Sequence, residues 1–197
     1  MKYEQFRYIY PPRPQRYDPA MLGTLAGHVG QLKLNGTRTL VVIFPDRKIE
    51  FWTRHKTKHK AYSLDDAMKS SLLELNLPEG FIIFDGELLH NRSREYKNII
   101  YFFDILVYGN LYLSEFTYAK RRKLLEVVTN PTRKNDLALE KNKNIWVAKD
   151  YKKLKFAFEK GRGNSIVEGL VVKNITSKLG YCFYSDKCNW AGKILQR

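Results

Sequence analysis

The stretch Gln31-Leu32-Lys33-Leu34-Asn35-Gly36-Thr37-Arg38 lies in a run of strand-forming residues that continues to about residue 52. Asn-Gly between apolar runs is a strong turn signal, so residues 29–52 are predicted to form antiparallel strands around turns at Asn35-Gly36 and Pro45-Asp46. Lys33 beside such a turn could be a solvated residue at a hairpin tip. It could also be a covalent nucleophile, because a lysine amine freed of its proton by neighbouring positive charge attacks phosphorus or carbonyl carbon. Taken alone, the stretch favours the solvated lysine.

The sequence has the composition of a globular protein, with 44% hydrophobic and 28% charged residues. Its length of 197 residues is enough for one well-buried domain. No segment approaches the apolar length of a membrane span, and residues 1–7 lack the apolar core of a signal peptide. The spacing of Cys182 and Cys188 fits neither a redox pair nor a four-ligand zinc site. We therefore expect free thiols in a reducing, cytoplasmic compartment and no association with membranes.

The charge is the strongest signal in the composition. A formal net charge of +15 exceeds what solubility requires. Phosphate-rich polymers are the usual partners of such a surface, because each neutralised phosphate releases condensed counterions. A basic but otherwise ordinary enzyme is the alternative.

The pattern along the chain predicts an N-terminal arm over residues 1–28 and one α+β domain over residues 29–197, with antiparallel sheets and flanking helices. The arm is rich in Tyr, Pro and Arg up to about residue 22, and residues 130–144 are predicted to be a polar surface loop. The helices are predicted over 65–77, 116–128 and 154–160, and further strands over 81–84, 99–103, 167–173 and 181–184.

Four later segments contain residues able to carry chemistry. In Asp85-Gly86-Glu87, two carboxylates flank a glycine after an apolar run and could hold a divalent cation or ribose hydroxyls, although Asp-Gly is also a common hairpin turn. In a strand, alternate residues face opposite sides, so one of Phe102 and Phe103 should fill the core while the other could stack on a base. Asp104 follows them directly.

The other two segments lie near the C-terminus. Glu168-Gly169-Leu170-Val171-Val172-Lys173 places a carboxylate and a lysine at the two ends of a predicted strand, with a glycine that permits close approach of a ligand. The stretch from Lys187 to Lys193 adds cations on either side of Trp190. A carboxylate for metal and lysines for phosphate suit a nucleotide site.

In this order, the five segments resemble the motifs of the covalent nucleotidyltransferase superfamily, which comprises ATP-dependent DNA ligases, RNA ligases and mRNA capping guanylyltransferases. The resemblance extends from Gln31 to Lys193. The stretch 103–110, followed by Arg121-Arg122-Lys123-Leu124-Leu125, looks most like the DNA ligase version. The resemblance implies an ATP-grasp-like fold, that of a ligase adenylation domain. No OB-fold is expected within these 197 residues, as would suit a compact phage or viral enzyme.

The resemblance also implies roles for individual residues. Lys33 matches the nucleophile that attacks the α-phosphate of ATP and becomes lysyl-AMP. The other matched nucleotide-binding residues are Gln31 at the adenine edge, Arg38 near the ribose and the nick end, Arg54 near the nucleotide or the 5′-phosphate, Glu87 at the ribose or metal, Phe103 stacked on adenine, Glu168 at the metal, and Lys173 and Lys193 at the α-phosphate. Glu87 and Glu168 are thus the expected ligands of Mg²⁺ or Mn²⁺, and Arg38 and Arg54 also the expected nucleic-acid contacts.

Two positions depart from the family pattern. Asn35 stands where most relatives have Asp, which weakens any charge-based role there. Lys193 comes one residue late in Trp190-Ala191-Gly192-Lys193, so Lys187 or Arg197 could substitute for it.

The sequence predicts an ATP-dependent polynucleotide ligase that acts as a monomer, with nicked duplex DNA as its substrate. A capping guanylyltransferase and an RNA ligase are the alternatives within the superfamily. An inactive nucleotidyltransferase fold that binds nucleic acid is an alternative from another class.

Overall fold

Two β-sheets and three α-helices form the fold in this computed structural model, which describes residues 5–60, 62–92, 95–180 and 182–196. The strands are β1 (Arg13–Arg16), β2 (His28–Leu34), β3 (Thr37–Ile43), β4 (Ile49–Thr53), β5 (Ile82–Leu89), β6 (Ile99–Tyr108), β7 (Leu111–Tyr112), β8 (Arg133–Lys134), β9 (Ala138–Glu140), β10 (Ile145–Ala148), β11 (Val167–Asn174) and β12 (Lys187–Leu195). The helices are α1 (Asp66–Leu73), α2 (Tyr118–Thr129) and α3 (Leu154–Gly161), and a short 3-10 helix covers Pro19–Gly23.

The smaller sheet has the order β1-β12-β11-β2, and the larger has the order β4-β3-β5-β6-β10-β9-β8, with β7 paired to β6. Within them β1–β12 and β6–β10 are parallel and the other pairs antiparallel. The predicted α+β class with antiparallel sheets and flanking helices is therefore confirmed.

The strands on either side of Asn35-Gly36 do not form the predicted pair. β2 pairs with β11, whereas β3 pairs with β4 and β5, so the turn carries the chain from one sheet to the other. Gly36 is needed there because a Cβ would lie 2.7 Å from the carbonyl oxygen of Leu88. Close packing against β5, rather than hairpin geometry, explains this glycine.

The helices begin near the residues that the sequence predicts. Asp65 caps α1 by accepting a hydrogen bond from the backbone N–H of Met68, and Thr117 caps α2 by accepting one from Lys120. Helix α1 ends at Leu73, four residues before the predicted end at Leu77. Residues 182–184 form turns instead of the predicted strand, and Tyr181 lies outside the described residues.

Two polar segments are more regular than predicted. The expected loop 130–144 contains the antiparallel strands β8 and β9. Asn135 stabilises the turn between them, because its side chain accepts hydrogen bonds of 2.8 Å from the backbone N–H groups of Leu137 and Ala138. Asp85-Gly86-Glu87 lies inside β5 and is no hairpin turn. A register shift against β6 occurs between Asp85 and Gly86.

The core occupies both faces of the larger sheet. On one face, α1 and α2 pack with strand residues such as Val41 and Phe84. On the other, the alternate residues Leu40 and Ile83 pack against Trp190 of the smaller sheet and the N-terminal segment. The two sheets therefore face each other, and a ligand cavity can form between them.

The part of the predicted arm from residue 5 onward is integrated into this core, while residues 1–4 lie outside the described residues. Ile9 is fully buried, and β1 forms an edge of the smaller sheet. Cys182 and Cys188 are buried free thiols. Among the described residues, no helix has the length and apolarity that crossing a membrane requires.

Candidate active site

A cavity of about 460 Å³ opens between the two sheets. Eight of the nine predicted site residues line it: Gln31, Lys33, Arg38, Arg54, Glu87, Phe103, Lys173 and Lys193. The ninth, Glu168, accepts a hydrogen bond from the Nζ atom of Lys33. The fold thus collects at one place residues that are up to 162 positions apart in the sequence.

Lys33 and Gln31 lie on the cavity side of β2 because residues two apart in a strand share a face. The side chain of Lys33 is 28% exposed and that of Glu168 is 35% exposed. The lysine is therefore held by a carboxylate yet remains accessible from the cavity.

A bulge in β11 brings Glu168 to Lys33. The register with β2 shifts between Val167 and Gly169, which releases Glu168 from regular alternation. Gly169 has φ +151°, and a Cβ at this position would lie 2.0 Å from the carbonyl oxygen of Ile194. Only glycine fits this backbone, so the glutamate and the glycine of the motif act together.

Lys173 is the deepest cation of the site. Its ammonium donates a 2.9 Å hydrogen bond to the carbonyl oxygen of Phe103 and lies 3.9 Å from a carboxylate oxygen of Asp104. Burial lowers the pKa of Lys173 to about 8, although Asp104 opposes this shift. The lysine is therefore mostly charged at neutral pH and able to bind phosphate.

Lys193 lines the cavity in spite of its displaced position in the motif. It pairs with Val171 on β11, which in turn pairs with Gln31 on β2, so the three residues form one row across the smaller sheet. Partial burial lowers the pKa of Lys193, and the nearby charge of Lys33 lowers it further. Lys187 is exposed and does not line the cavity, and Arg197 lies outside the described residues.

The acidic residues of the site lie on β5. Asp85 and Glu87 share a face and both line the cavity. Burial raises the pKa of Glu87 to about 7, against the opposing effects of Lys33 and Arg38. No group of three or more His, Cys, Asp or Glu side chains suited to a metal occurs within the described ranges.

The two predicted arginines have different surroundings. Arg38 is bound to the protein itself, because its Nε donates to Asp85 at 3.0 Å and its Nη1 donates to the carbonyl oxygen of Pro12 at 2.8 Å. Arg54 is exposed, and its Nε donates to His55 at 3.2 Å. Arg38 thus orders the cavity wall, while Arg54 presents its charge to solvent.

Gln31 has a fixed side-chain amide. Its Nε2 donates hydrogen bonds of 2.8 Å to Asp150 and to the hydroxyl of Tyr118, which itself donates to Asp150. Because an ionised carboxylate only accepts, the amide nitrogen must face Asp150. The Oε1 atom is buried and has no hydrogen-bond partner in the part of the chain that the structure describes.

The aromatic pair on β6 divides as alternation predicts. Phe102 is fully buried, whereas Phe103 is only partly buried and lines the cavity. The guanidinium of Arg38 lies 5.4 Å from the centre of the Phe103 ring. The ring is therefore part of the cavity wall and carries cations beside it.

Sequence analysis missed several residues around the cavity. Arg13 lines it from the arm, because β1 pairs in parallel with β12, a long-range contact without a local signal. Asp150 was missed too, since its role depends on Gln31, 119 positions away. Asp104 was noted only as a neighbour of Phe103, yet it forms a buried ion pair with Arg121 beneath the site.

No protein-family profile matches the sequence, and no curated protein matches it either. Solved DNA ligase structures do share its fold. The mycobacterial DNA ligase D complexed with ATP and MES aligns with a TM-score of 0.69 at 18% identity, over 98% of this chain and 62% of that chain. The ligase domain of Mycobacterium tuberculosis LigD aligns with a TM-score of 0.67 at 20% identity, over 96% and 60%. The ATP-dependent DNA ligase of bacteriophage T7 complexed with ATP aligns with a TM-score of 0.59 at 15% identity, over 94% and 68%.

The chain therefore has the nucleotidyltransferase fold of ATP-dependent DNA ligases, which confirms the fold that the motif order implied. It spans about 60% of the length of the two mycobacterial chains. At 15–20% identity the likeness concerns the fold, and the chemistry has to be argued from the residues of the cavity.

Proposed function

We propose that this protein is an ATP-dependent polynucleotide ligase that seals nicked duplex DNA through a lysyl-AMP intermediate on Lys33. The observation that carries the proposal is the position of the Lys33 amine. It lies on the wall of a cavity that also presents Lys173, Lys193, Glu87 and Phe103, and it is in contact with Glu168.

In the first step, the neutral amine of Lys33 attacks the α-phosphorus of ATP. The N–P bond forms as the bond between the α-phosphorus and the bridging oxygen breaks, and pyrophosphate leaves. The nitrogen loses one proton before the attack and a second as the phosphoramide forms. Glu168 is placed to receive a proton, since its carboxylate contacts Nζ.

Lys173 and Lys193 support this step by stabilising negative charge on the transferred phosphoryl group, where catalysis depends mostly on positioning and electrostatics. Glu87 and Glu168 suit Mg²⁺ or Mn²⁺, because such ions bind through one or two carboxylates together with substrate phosphates. Bound there, the ion would neutralise phosphate charge.

Gln31 favours ATP over GTP. The 6-amino group of adenine is a hydrogen-bond donor and the 6-oxo group of guanine is an acceptor. Asp150 and Tyr118 hold the amide nitrogen of Gln31, which leaves Oε1 as the atom available to a base. A buried acceptor without a partner is costly, and a small movement on binding would let adenine satisfy it. Phe103 is the ring on which the base stacks.

In the later steps, AMP passes from Lys33 to the 5′-phosphate of the nick, and attack by the 3′-hydroxyl then joins the strand and releases AMP. The net charge of +15 suits a DNA substrate, and Arg54 at the cavity is available for a phosphate of the nick.

The test is self-adenylation. The protein is incubated with ATP labelled at the α-phosphate and Mg²⁺, and label on the polypeptide is measured after denaturing electrophoresis. We expect label on the wild type and on Lys69→Ala, a change at an exposed lysine of α1, and none on Lys33→Ala. Unlabelled wild type that still binds DNA in a salt-sensitive manner would instead identify an inactive, nucleic-acid-binding fold.

Parallel reactions decide the remaining alternatives. Labelling by GTP in preference to ATP would indicate a capping guanylyltransferase. Nicked duplexes with DNA or RNA at the break, offered to the adenylated protein, separate a DNA ligase from an RNA ligase.

A further inference from the structure

We propose that the arm strand β1 carries a phosphate-binding strip for the backbone of a polynucleotide strand. The strip consists of Arg13 and Arg16 on β1, Lys193 on β12 and Arg54 after β4. The inference rests on the proposed ligase function for the identity of its substrate, and it adds Arg13 and Arg16, which lie outside the predicted motifs, to the predicted residues Arg54 and Lys193.

The strip continues the row that Gln31, Val171 and Lys193 form across the smaller sheet. Arg16 pairs with Lys193, which pairs with Val171, which pairs with Gln31, so the row runs from the interior of the cavity to the edge strand. Residues directly opposite each other in paired strands project on the same side of the sheet. Arg13 lines the cavity from the same strand, and the register shift between Arg13 and Gln15 allows it to share a face with Arg16 although the two are three residues apart.

Within the described part of the chain these four cations have no acidic partner, because no ion pair there involves Arg13, Arg16, Arg54 or Lys193. The pKa of Lys193 is lowered first by partial burial and then by nearby positive charges that include Arg13, Arg54 and Arg16. Like charges gathered in this way repel one another, and a bound polyanion would relieve the repulsion.

The backbone that carries the strip is fixed. The N–H of Tyr17 donates to the carbonyl oxygen of Lys193 at 3.0 Å, and the N–H of Arg13 donates to that of Asp186 at 2.7 Å. The ring of Tyr17 packs on Gly192, where a Cβ would lie 2.1 Å from it. Arg38 anchors the same segment through the carbonyl oxygen of Pro12. Because the strand is anchored, little backbone order has to be gained on binding.

The size of the strip favours a polynucleotide over the triphosphate of ATP. Arg13 and Arg16 are three residues apart, which corresponds to about 10 Å along a strand. One DNA strand carries a phosphate about every 3.4 Å of helix axis and continues beyond the cavity, so separate phosphates of one strand can reach both arginines. Both arginines are exposed at the sheet edge, where a chain leaving the cavity would pass.

The experiment measures binding of nicked duplex DNA without ATP, by fluorescence anisotropy over a series of salt concentrations. We compare the wild type with Arg13→Gln/Arg16→Gln. The matched control is Arg133→Gln/Lys134→Gln, which removes the same charge from exposed residues of β8 at the far edge of the larger sheet. A third variant, Arg13→Lys/Arg16→Lys, keeps the charge.

We expect the arm variant to bind more weakly and to reduce the slope of log affinity against log salt by about 1.8, or about 0.9 for each lost phosphate contact. The control should lose far less, and the lysine variant should keep most of the slope. An equal loss in the control would overturn the proposal, because the effect would then be one of net charge. No loss in the arm variant would overturn it as well.

A second measurement separates the two sources of phosphate. If the arm variant raised the KM for ATP in self-adenylation more than it weakened DNA binding, the strip would belong to the triphosphate and the polynucleotide assignment would be wrong. DNA binding needs no covalent chemistry, so failure of Lys33 labelling would contradict the proposed function without deciding this inference.

Discussion

Replacing Asp104 by Asn tests whether the buried ion pair beneath the cavity holds both the fold and the charge of the site. The guanidinium of Arg121 donates two hydrogen bonds of 2.9 Å to the carboxylate of Asp104, and the two side chains are 0% and 2% exposed. Burial alone would raise the pKa of Asp104, but Arg121 and Lys173 together lower it below its ordinary value. The carboxylate is therefore ionised at neutral pH.

Asp104→Asn keeps the shape of the side chain and removes its charge, which leaves Arg121 buried without an anion. Breaking a buried pair in this way costs about 3–5 kcal/mol, a large part of the 5–15 kcal/mol that stabilises a typical domain. Urea unfolding at pH 7 measures the loss. Glu115→Gln is the control, because the pair of Glu115 with Lys178 is 75% and 59% exposed and should contribute at most about 1 kcal/mol.

The same substitution should also alter the site through Lys173. Asp104 is the largest of the influences that raise the pKa of Lys173, so its loss should lower that pKa further below about 8. ATP binding weakens above a certain pH, and in Asp104→Asn this pH should be lower than in the wild type. In Glu115→Gln it should equal that of the wild type. A loss of stability under 1 kcal/mol, or a pH profile identical to that of the wild type, would refute the reasoning.

Three further predictions concern single residues of the cavity. Lys173 is protonated below its pKa of about 8 and neutral above it. The KM for ATP in self-adenylation should therefore be constant at lower pH and rise by up to about tenfold per pH unit above pH 8. A KM that stays constant to about pH 9.5 would contradict this role of Lys173. Gly169→Ala should lower the free energy of unfolding in urea by more than about 2 kcal/mol and abolish labelling, because φ of Gly169 is +151° and the new Cβ would meet Ile194. Gly163→Ala is the control, since Gly163 has φ +77° but open space around it. It should cost about 1 kcal/mol and leave labelling intact. Gln31→Ala should reduce the preference of self-adenylation for ATP over GTP by about tenfold or more, the value of one hydrogen bond lost at a buried site, and an unchanged preference would remove Gln31 from base recognition.

Local patterns account for most of the elements that could be predicted. Asp65 and Thr117 mark helix starts by side-chain capping, which depends only on neighbouring residues. The division between Phe102 in the core and Phe103 in the cavity follows from strand alternation. The order of the motifs then identified residues that the fold brings around one cavity.

What escaped prediction depends on contacts between distant parts of the chain. The Asn35-Gly36 turn has the composition of a hairpin, yet its flanking strands join different sheets, since β2 pairs with β11 and β3 pairs with β5. The parallel pairing of β1 with β12 joins segments more than 170 residues apart, so nothing near Arg13 could reveal it. The bulge that turns Glu168 to Lys33 likewise requires the approach of β12 to Gly169.

The central claim is that the Nζ of Lys33 is the atom that becomes adenylylated. The most direct measurement is intact-mass analysis of the protein after incubation with ATP and Mg²⁺, followed by peptide mapping of the modified site. We predict one adenylyl group per chain, on Lys33, and none on Lys33→Ala that remains folded. An adenylyl group on another lysine, or none on folded wild-type protein that binds ATP, would contradict the account.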